Sequence, residues 1–434
     1  MTLRSWGPGT HFIRTTCRLC SGPTTLALEL TPTPPANELR SRSFVESEEP
    51  EEVFPLPVHT CDACGHVQLA CVVDPERLFR NYPYRSGASP VFVEHLREYA
   101  SDLVTRFGIP KFVVEIGSND GTMLRFFAQT RTLGIDPANI ETQGPFIRGF
   151  FIRGFFTSEM AHRLRYEQNY GLENGADLII ANHVFAHADD LEDIALGVRE
   201  LLTDDGVFVF EVGYLVNVLR GTYFDTIYHE HLSYHHLGPL VRFFARLGMC
   251  LYDAQAVDTQ GGSIRCFVKK GRSGWWTDEF DSMLKYEELI GLTPETSGTL
   301  VKQMLGDKIE KVKTDLLSLL RTIKAEGHKI AGYGAPAKCV TLMHTLGFGN
   351  DILDFIVDDS PVKHGMFTPG KHVEILPVSS LYERKPDYVL VLAWNFAESI
   401  LAKHRGFDGS WIVPLPKVVT HFGKQHELGE KAMR

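Results

Sequence analysis

Cys17-Arg18-Leu19-Cys20 and Cys61-Asp62-Ala63-Cys64 are two Cys-x-x-Cys pairs. Each pair can grip one metal ion from a tight turn, and the two together complete a tetrahedral thiolate site of the structural zinc type. Disulfides are the competing chemistry. Pairs of this spacing fit metal better in a long chain whose N-terminus lacks the apolar stretch of a secretory signal. The remaining cysteines, Cys71, Cys250, Cys266 and Cys339, are scattered and read as ordinary buried side chains.

A second group is Glu115-Ile116-Gly117-Ser118-Asn119-Asp120-Gly121. Its glycines let the backbone turn at positive φ and approach a ligand closely. Dinucleotide-binding domains also carry a glycine turn, but the spacing here differs from Gly-x-Gly-x-x-Gly. Asp136 closes the next apolar run, in Leu133-Gly134-Ile135-Asp136-Pro137. A carboxylate there can accept both ribose hydroxyls of an adenosine; the alternative is an acidic helix cap before proline.

The third group is Tyr228-His229-Glu230-His231-Leu232-Ser233-Tyr234-His235-His236. A zinc-protease motif would need His-Glu-x-x-His, and Ser233 breaks it. Imidazoles titrate near neutrality and can remove a substrate proton. Glu230 could orient one of them, and Tyr228 could donate to a developing oxyanion. A second metal site and a solvent-exposed histidine-rich loop are the competing readings. His187 stands in Asn182-His183-Val184-Phe185-Ala186-His187, just past another apolar run, whereas His183 reads as packing. Late in the chain, Gly332-Tyr333-Gly334-Ala335-Pro336-Ala337-Lys338 offers N–H groups at a helix start and one ammonium. Such a turn can bind phosphate, though without Walker spacing. Asp358-Asp359, at the end of the following run, keeps a nicotinamide site open as the competitor.

These groups need elements to hold them. Short apolar runs at Phe112–Ile116, Thr132–Ile135, Asp177–Ala181 and Gly206–Val212 alternate with helical stretches. That rhythm predicts a parallel sheet with helices on both faces. Cys250–Ala256 and Ser263–Lys269 are close enough to pair as an edge hairpin, as in the SAM-dependent (S-adenosylmethionine-dependent) methyltransferase fold. Residues 276–326 read as helices. A second α/β rhythm follows at Lys329–Gly332, Leu353–Val357, Asp387–Leu392 and Trp411–Leu415. The tandem repeat Phe146-Ile147-Arg148-Gly149-Phe150/Phe151-Ile152-Arg153-Gly154-Phe155 is odd in length, so only one copy can serve as the third strand.

The expected organisation is therefore a zinc-binding domain at 1–80, a Rossmann-like SAM domain at 81–275, a helical linker at 276–314 and a C-terminal Rossmann-like α/β domain at 315–434. A chain of 434 residues exceeds one hydrophobic core. Its net charge of −10 argues against a broad nucleic-acid surface. Glu46–Glu52 reads as a solvated acidic loop. No apolar run approaches the roughly 20 residues that span a bilayer, so the chain is expected to be cytoplasmic and free of membrane.

The ordered series of cysteine pairs, Tyr82-Pro83-Tyr84, Glu115–Gly121, Tyr228–His231, Gly332–Lys338 and Thr368-Pro369-Gly370 resembles the nucleotide-sugar C-methyltransferases of antibiotic deoxysugar pathways. The resemblance covers nearly the whole chain. It implies methyl transfer from SAM to C3 of a TDP-4-keto-deoxysugar through a base-generated enolate. In that likeness His231 is the base, beside Tyr228 and Glu230, with His187 and Tyr82 completing the pocket. SAM would contact Glu115, Gly117, Asn119, Gly121, Asp136 and Asn182. Gly334, Ala335 and Lys338 would hold the TDP portion, and zinc on Cys17, Cys20, Cys61 and Cys64 would be purely structural. Two departures stand out: His183 where relatives carry asparagine, and the duplicated segment near the adenosine pocket. The other readings are an NAD(P)-dependent nucleotide-sugar oxidoreductase and a non-catalytic nucleic-acid module.

Overall fold

The computed structural model describes residues 11–140, 149–167, 169–271 and 276–423. Its contacts divide the chain into two compact units. The first comprises Met1–Thr25, His59–Val216 and Glu230–Gly298; the second comprises Leu26–Val58, Asn217–His229 and Thr299–Arg434.

The N-terminal strands are β1 (His11–Ile13), β2 (Thr24–Thr33), β3 (Phe54–Cys61), β4 (Val67–Leu69) and β5 (Cys71–Val73). β1, β4 and β5 have three residues each, one cysteine pair lies between β1 and β2, and the other starts at the end of β3. Next come β6 (Phe112–Ile116), β7 (Arg131–Asp136), β8 (Gly149–Arg153), β9 (Ala176–Asn182), β10 (Leu202–Gly213), β11 (Ser233–Tyr234), β12 (Met249–Val257) and β13 (Ser263–Lys270). β1 pairs antiparallel with β5, and β11-β4-β3-β2 form a four-stranded sheet.

The main sheet of the first unit has the order β12-β13-β10-β9-β6-β7-β8. β6 to β10 run parallel, and the β12–β13 hairpin is antiparallel against β10. All of β6, Phe-Val-Val-Glu-Ile, is buried, as a strand covered by helices on both faces requires. One such helix is Pro90–Phe107. Ser89 caps it, proline occupies its first turn, and Gly108 ends it at φ 77°. It lays Leu96, Tyr99 and Leu103 against Val113, Ile180, Val209 and Phe267 of the sheet. Each such side chain contributes roughly 1.5–3 kcal/mol by leaving water. A charge at Leu103 would break that face.

The third strand, β8, straddles the junction of the tandem repeat, taking Gly149-Phe150 from one copy and Phe151-Ile152-Arg153 from the other. One copy alone was expected to form it; the junction between the two does. Phe146-Ile147-Arg148 lies outside the described residues.

The second unit carries β14 (Ile330–Tyr333), β15 (Phe355–Asp358), β16 (Ile375–Pro377), β17 (Tyr388–Val391), β18 (Ser410–Val413) and β19 (Val419–His421). Their order is β16-β15-β14-β17-β18-β19, parallel except for β18–β19. Helices Asp278–Leu289 and Asp307–Ala325 fall within the stretch expected to be helical. The acidic segment Glu46–Glu52 is not wholly solvated. Glu51 accepts from Gly370 N–H at 2.9 Å and pairs with His372 Nε2 at 2.5 Å, both within this unit.

β6 and β14 occupy equivalent places. Each is the first strand of its parallel run, flanked by the second on one side and a later strand on the other. Ligands of open α/β sheets gather at the carboxyl ends of strands at that switch point. No helix among the described residues is long and apolar enough to cross a membrane.

Candidate active site and metal centre

The Sγ atoms of Cys17, Cys20, Cys61 and Cys64 all lie within 4.8 Å of one another. Cys17 and Cys64 are 3.6 Å apart, and Cys20 and Cys61 are 3.4 Å apart. Four thiolates around one zinc at about 2.3 Å stand about 3.8 Å from each other, so the donor set fits the ion. Cys17 N–H bonds the Gly22 carbonyl and Cys61 N–H bonds that of His66, which folds each pair into its knuckle. Among the described residues this is the only His/Cys/Asp/Glu group so arranged, and the histidine cluster is not one.

At the end of β6 the chain turns through Gly117 (φ 68°), Asn119 (φ 51°) and Gly121 (φ 76°). A Cβ on Gly117 would come within 2.1 Å of Val184 Cγ2, so glycine is required there for space as well as for φ. Gly117 N–H bonds Ile135 O at 2.7 Å. Asp136, closing β7, accepts Asn119 N–H at 2.9 Å and Ala138 N–H at 2.8 Å. Burial raises its carboxyl while those amides oppose the shift. Asn182, closing β9, donates to Glu115 Oε1 at 3.4 Å. Burial pushes Glu115 well above the usual carboxylate range, against the Asn182 bond. Glu115 Oε2, Ser118 Oγ and Asn182 Oδ1 are buried without a partner among the described residues. Polar atoms left in that state suit a site that a polar cofactor completes, and the residues fit SAM.

Asn119 does a further job. Its side chain accepts Ser86 N–H at 3.0 Å and donates to the Tyr84 carbonyl at 3.1 Å, while Asp120 accepts Gly87 N–H at 2.9 Å. The segment carrying Tyr82 is thus clasped onto the glycine turn. Tyr82 lies 5.7 Å from Phe79, Phe79 stacks on His187 at 5.7 Å, and His187 stacks on His231 at 5.1 Å with planes inclined by 22°. Three residues expected at the site are therefore brought into one row of rings, and Phe79, which sequence reasoning missed, joins them. Its position three residues before Tyr82 was the available signal.

The loops that carry His187 and His231 are joined by backbone. The Ala186 carbonyl accepts N–H from both Leu232 and Ser233, at 2.9 and 3.0 Å. Burial lowers His187 well below the ordinary imidazole value, and the neighbouring His231 and His183 push it the same way. Both effects favour the neutral ring.

The other histidines of the cluster are away from solvent. His229, His235 and His236 are buried, which excludes an exposed loop. His236 pairs with Glu287 at 3.1 Å, whose carboxylate also accepts Tyr214 OH and the Leu237 and Gly238 amides. Glu230 is buried, Tyr228 half-buried; the chain passes from the second unit to the first just after His229. His183 is more than packing. With φ 52°, it reaches Glu211, which also bonds His95 at 2.9 Å and Arg265 at 3.1 Å.

In the second unit the turn repeats the grammar of the first. Gly334 (φ 83°) bonds Val357 O at 2.7 Å, and Asp358 accepts Ala335 N–H at 2.7 Å and Ser360 N–H at 2.8 Å. Lys338 is buried, with Nζ 2.5 Å from Asn395 Oδ1 and 3.9 Å from the Trp394 ring centre. Trp394 Nε1 donates to Asp225 at 2.5 Å and its ring stacks on Tyr223 at 4.1 Å. Burial draws Lys338 down to about 8, against the pull of Asp225, and lifts Asp225 to about 6.

Residues 17–79 match the family described as "Putative zinc binding domain", 92–254 the "Methyltransferase domain" and 258–416 the "C-methyltransferase C-terminal domain". The chain is 33% identical over 376 residues to C-methyltransferase NovU of Streptomyces niveus, spanning 85% of this chain and 87% of that protein. The chain belongs to the SAM-dependent C-methyltransferases. It binds SAM and zinc, and the oxidoreductase alternative falls away. Among solved structures, 1,6-didemethyltoxoflavin-N1-methyltransferase of Burkholderia thailandensis overlaps 41% of this C-methyltransferase and 78% of its own chain, with 15% identity and a TM-score of 0.33. Magnesium protoporphyrin IX methyltransferase of Synechocystis overlaps 41% and 83%, with 12% identity and a TM-score of 0.30.

Proposed function

We propose that this C-methyltransferase methylates C3 of a TDP-4-keto-deoxysugar in the cytoplasm. The reading rests on one observation, the stacking of His187 on His231 in the unit that carries the Gly117–Gly121 turn. Its likeness to C-methyltransferase NovU supports carbon as the acceptor. A C–H bond beside a carbonyl becomes acidic enough for a positioned imidazole, which is what a 4-keto sugar offers at C3.

His231 takes the C3 proton, and the electron pair moves onto the C4 oxygen as an enolate. Tyr228 donates a hydrogen bond to that oxygen, and Glu230 holds the imidazole and favours its protonated form. His187 stays neutral, so the proton on His231 meets no second charge across the stack. A positioned base of this kind contributes roughly 10²–10⁴-fold. Tyr82, clasped by the glycine turn, closes the pocket against water. SAM, when bound, would supply an electrophilic methyl group for C3 of that enolate. Glu115, Gly117, Asn119, Gly121, Asp136 and Asn182 hold that cofactor, and Gly334, Ala335 and Lys338 bind the nucleoside diphosphate. Lys338 keeps its ammonium on Asn395 and Trp394.

Incubation with SAM and a panel of TDP-ketosugars, read by mass and by NMR of the product, tests the reading. One added methyl at C3 of a 4-keto sugar supports it. Methylation only at oxygen, or no turnover across the panel, rejects it.

A further inference from the structure

Arg18 sits inside the metal clip, between Cys17 and Cys20, and its side chain is fully buried. It makes none of its side-chain bonds to the clip. Nε donates to Asp189 Oδ1 at 3.1 Å, and Nη1 donates to the carbonyls of Leu69 and Leu232 at 2.8 and 3.0 Å. Leu232 directly follows His231, and Asp189 is two residues beyond His187. The guanidinium therefore fastens both loops that carry the stacked imidazoles. Its own backbone is fixed in turn, since Arg18 N–H bonds Gln68 Oε1 at 2.9 Å and Gln68 Nε2 bonds Thr16 O at 3.0 Å.

Leu232 is gripped at both ends. Its N–H goes to the Ala186 carbonyl, and its carbonyl accepts from Leu69 N–H as well as Arg18. Burying a guanidinium costs several kcal/mol, and an apolar residue of similar volume commonly serves stability as well or better. No apolar side chain could bond one carboxylate and two carbonyls on separate segments at fixed angles; the planar fork of arginine can. The expense is explained by the geometry that it enforces.

We propose that Arg18 is a positioning residue that sets the stacking of His187 on His231 from within the zinc clip, so that the folded clip and the proton chemistry are coupled. Zinc then does more than staple a small domain, because the knuckle it closes is the base from which Arg18 reaches. The proposal rests on the reading of that histidine pair as the proton-handling groups.

The test uses the full-length, zinc-loaded protein with ring-labelled histidine, following His187 by NMR across pH. Replacing His231 by Gln removes a neighbouring positive charge, which should raise the His187 midpoint by roughly 1 unit in the parent protein. In an Arg18→Met background, with zinc content and SAM affinity retained, that response should fall to less than about half, because the rings no longer hold their spacing. Methyl transfer should fall roughly 10–100-fold in kcat with the KM for SAM unchanged, as for a small misplacement of reacting groups. Arg18→Lys should restore part of both. If Arg18→Met loses zinc or fails to fold, Asp189→Asn, far from the cysteines in sequence and partly exposed, decides by the same criterion. An unchanged His187 response in the deciding variant overturns the proposal. A parent protein that shows the coupling but methylates no ketosugar would sink the proposed substrate and leave the positioning role standing.

Discussion

His187 stacks on His231 beside the point where the carbonyl of Ala186 accepts the N–H groups of both Leu232 and Ser233. Neither residue's own side chain causes the pairing. Two loops are joined by backbone at the positions beside the rings, and the Arg18 guanidinium bonds both of them. The zinc clip, the glycine turn and the Tyr82 segment all brace that junction from within the same unit.

Bracing by the metal gives the first prediction. Cys61→Ser removes one of four thiolates, and structural zinc sites supply ~10–16 kcal/mol in isolated finger peptides. The variant should lose its zinc, and the amides of β1, β4 and β5 should lose protection from hydrogen exchange. Metal content by mass spectrometry together with exchange measures this. Full zinc occupancy with unchanged protection would contradict it.

Much of the fold was legible in the sequence, and the reasons are local. Phe112–Ile116 is a β-rich run broken only by Glu115, and it is β6 without a shift at either end. The turn after it could be read because Gly117 is the residue type that its φ and its contact with Val184 demand. The edge hairpin was legible from two β-rich runs lying close together, β12 and β13. The ring row was not. Phe79, His187 and His231 lie on separate segments, and no periodicity relates them. Arg18 was hidden for a similar reason, since a charge between two ligating cysteines reads as solvent-facing until its distant acceptors are seen.

Gly117→Ala should impair SAM binding more than folding. The added Cβ would stand 2.1 Å from Val184 Cγ2 on a backbone held at φ 68°, and strain of this type costs about 1–3 kcal/mol. Calorimetry should show SAM affinity reduced roughly tenfold or more, by the same arithmetic. Val184→Ala in the same chain should recover only part of the loss, because the φ strain persists. Unaltered affinity would contradict the role given to the turn.

His235 makes stability pH-dependent in a defined direction. Burial pushes its imidazole down to about 4, against the bond to the Phe185 carbonyl. The unfolded chain protonates at about 6.5, so between about 6.5 and about 4 it gains a proton that the folded state refuses. Stability from this group is complete above the unfolded value and is lost as pH falls, by about 3 kcal/mol at the bottom of the window. His66, lowered by burial too, adds to the same slope. Urea midpoints at neutral pH and near pH 4.5 should therefore fall less steeply for His235→Gln than for the parent. Equal slopes would contradict this.

Trp394→Phe tests the second unit. The indole N–H bonded to Asp225 is lost, while Lys338 keeps Asn395 as a partner. A buried carboxylate stripped of a donor costs about 1–3 kcal/mol or more. Thermal unfolding should shift downward, and adding Asp225→Asn should recover part of the loss. An unchanged transition would show that the Asp225–Trp394 bond carries no weight.

The most direct test of the central claim is hydrogen exchange at the carbon that would be methylated. Enzyme is incubated with a TDP-4-keto-deoxysugar in deuterated water, without methyl donor, and deuterium at C3 is read by NMR. The parent protein should wash deuterium into C3, and His231→Asn should not, while its calorimetric affinity for SAM stays unchanged. Exchange at the parent rate in that variant would contradict the assignment of His231 as the base.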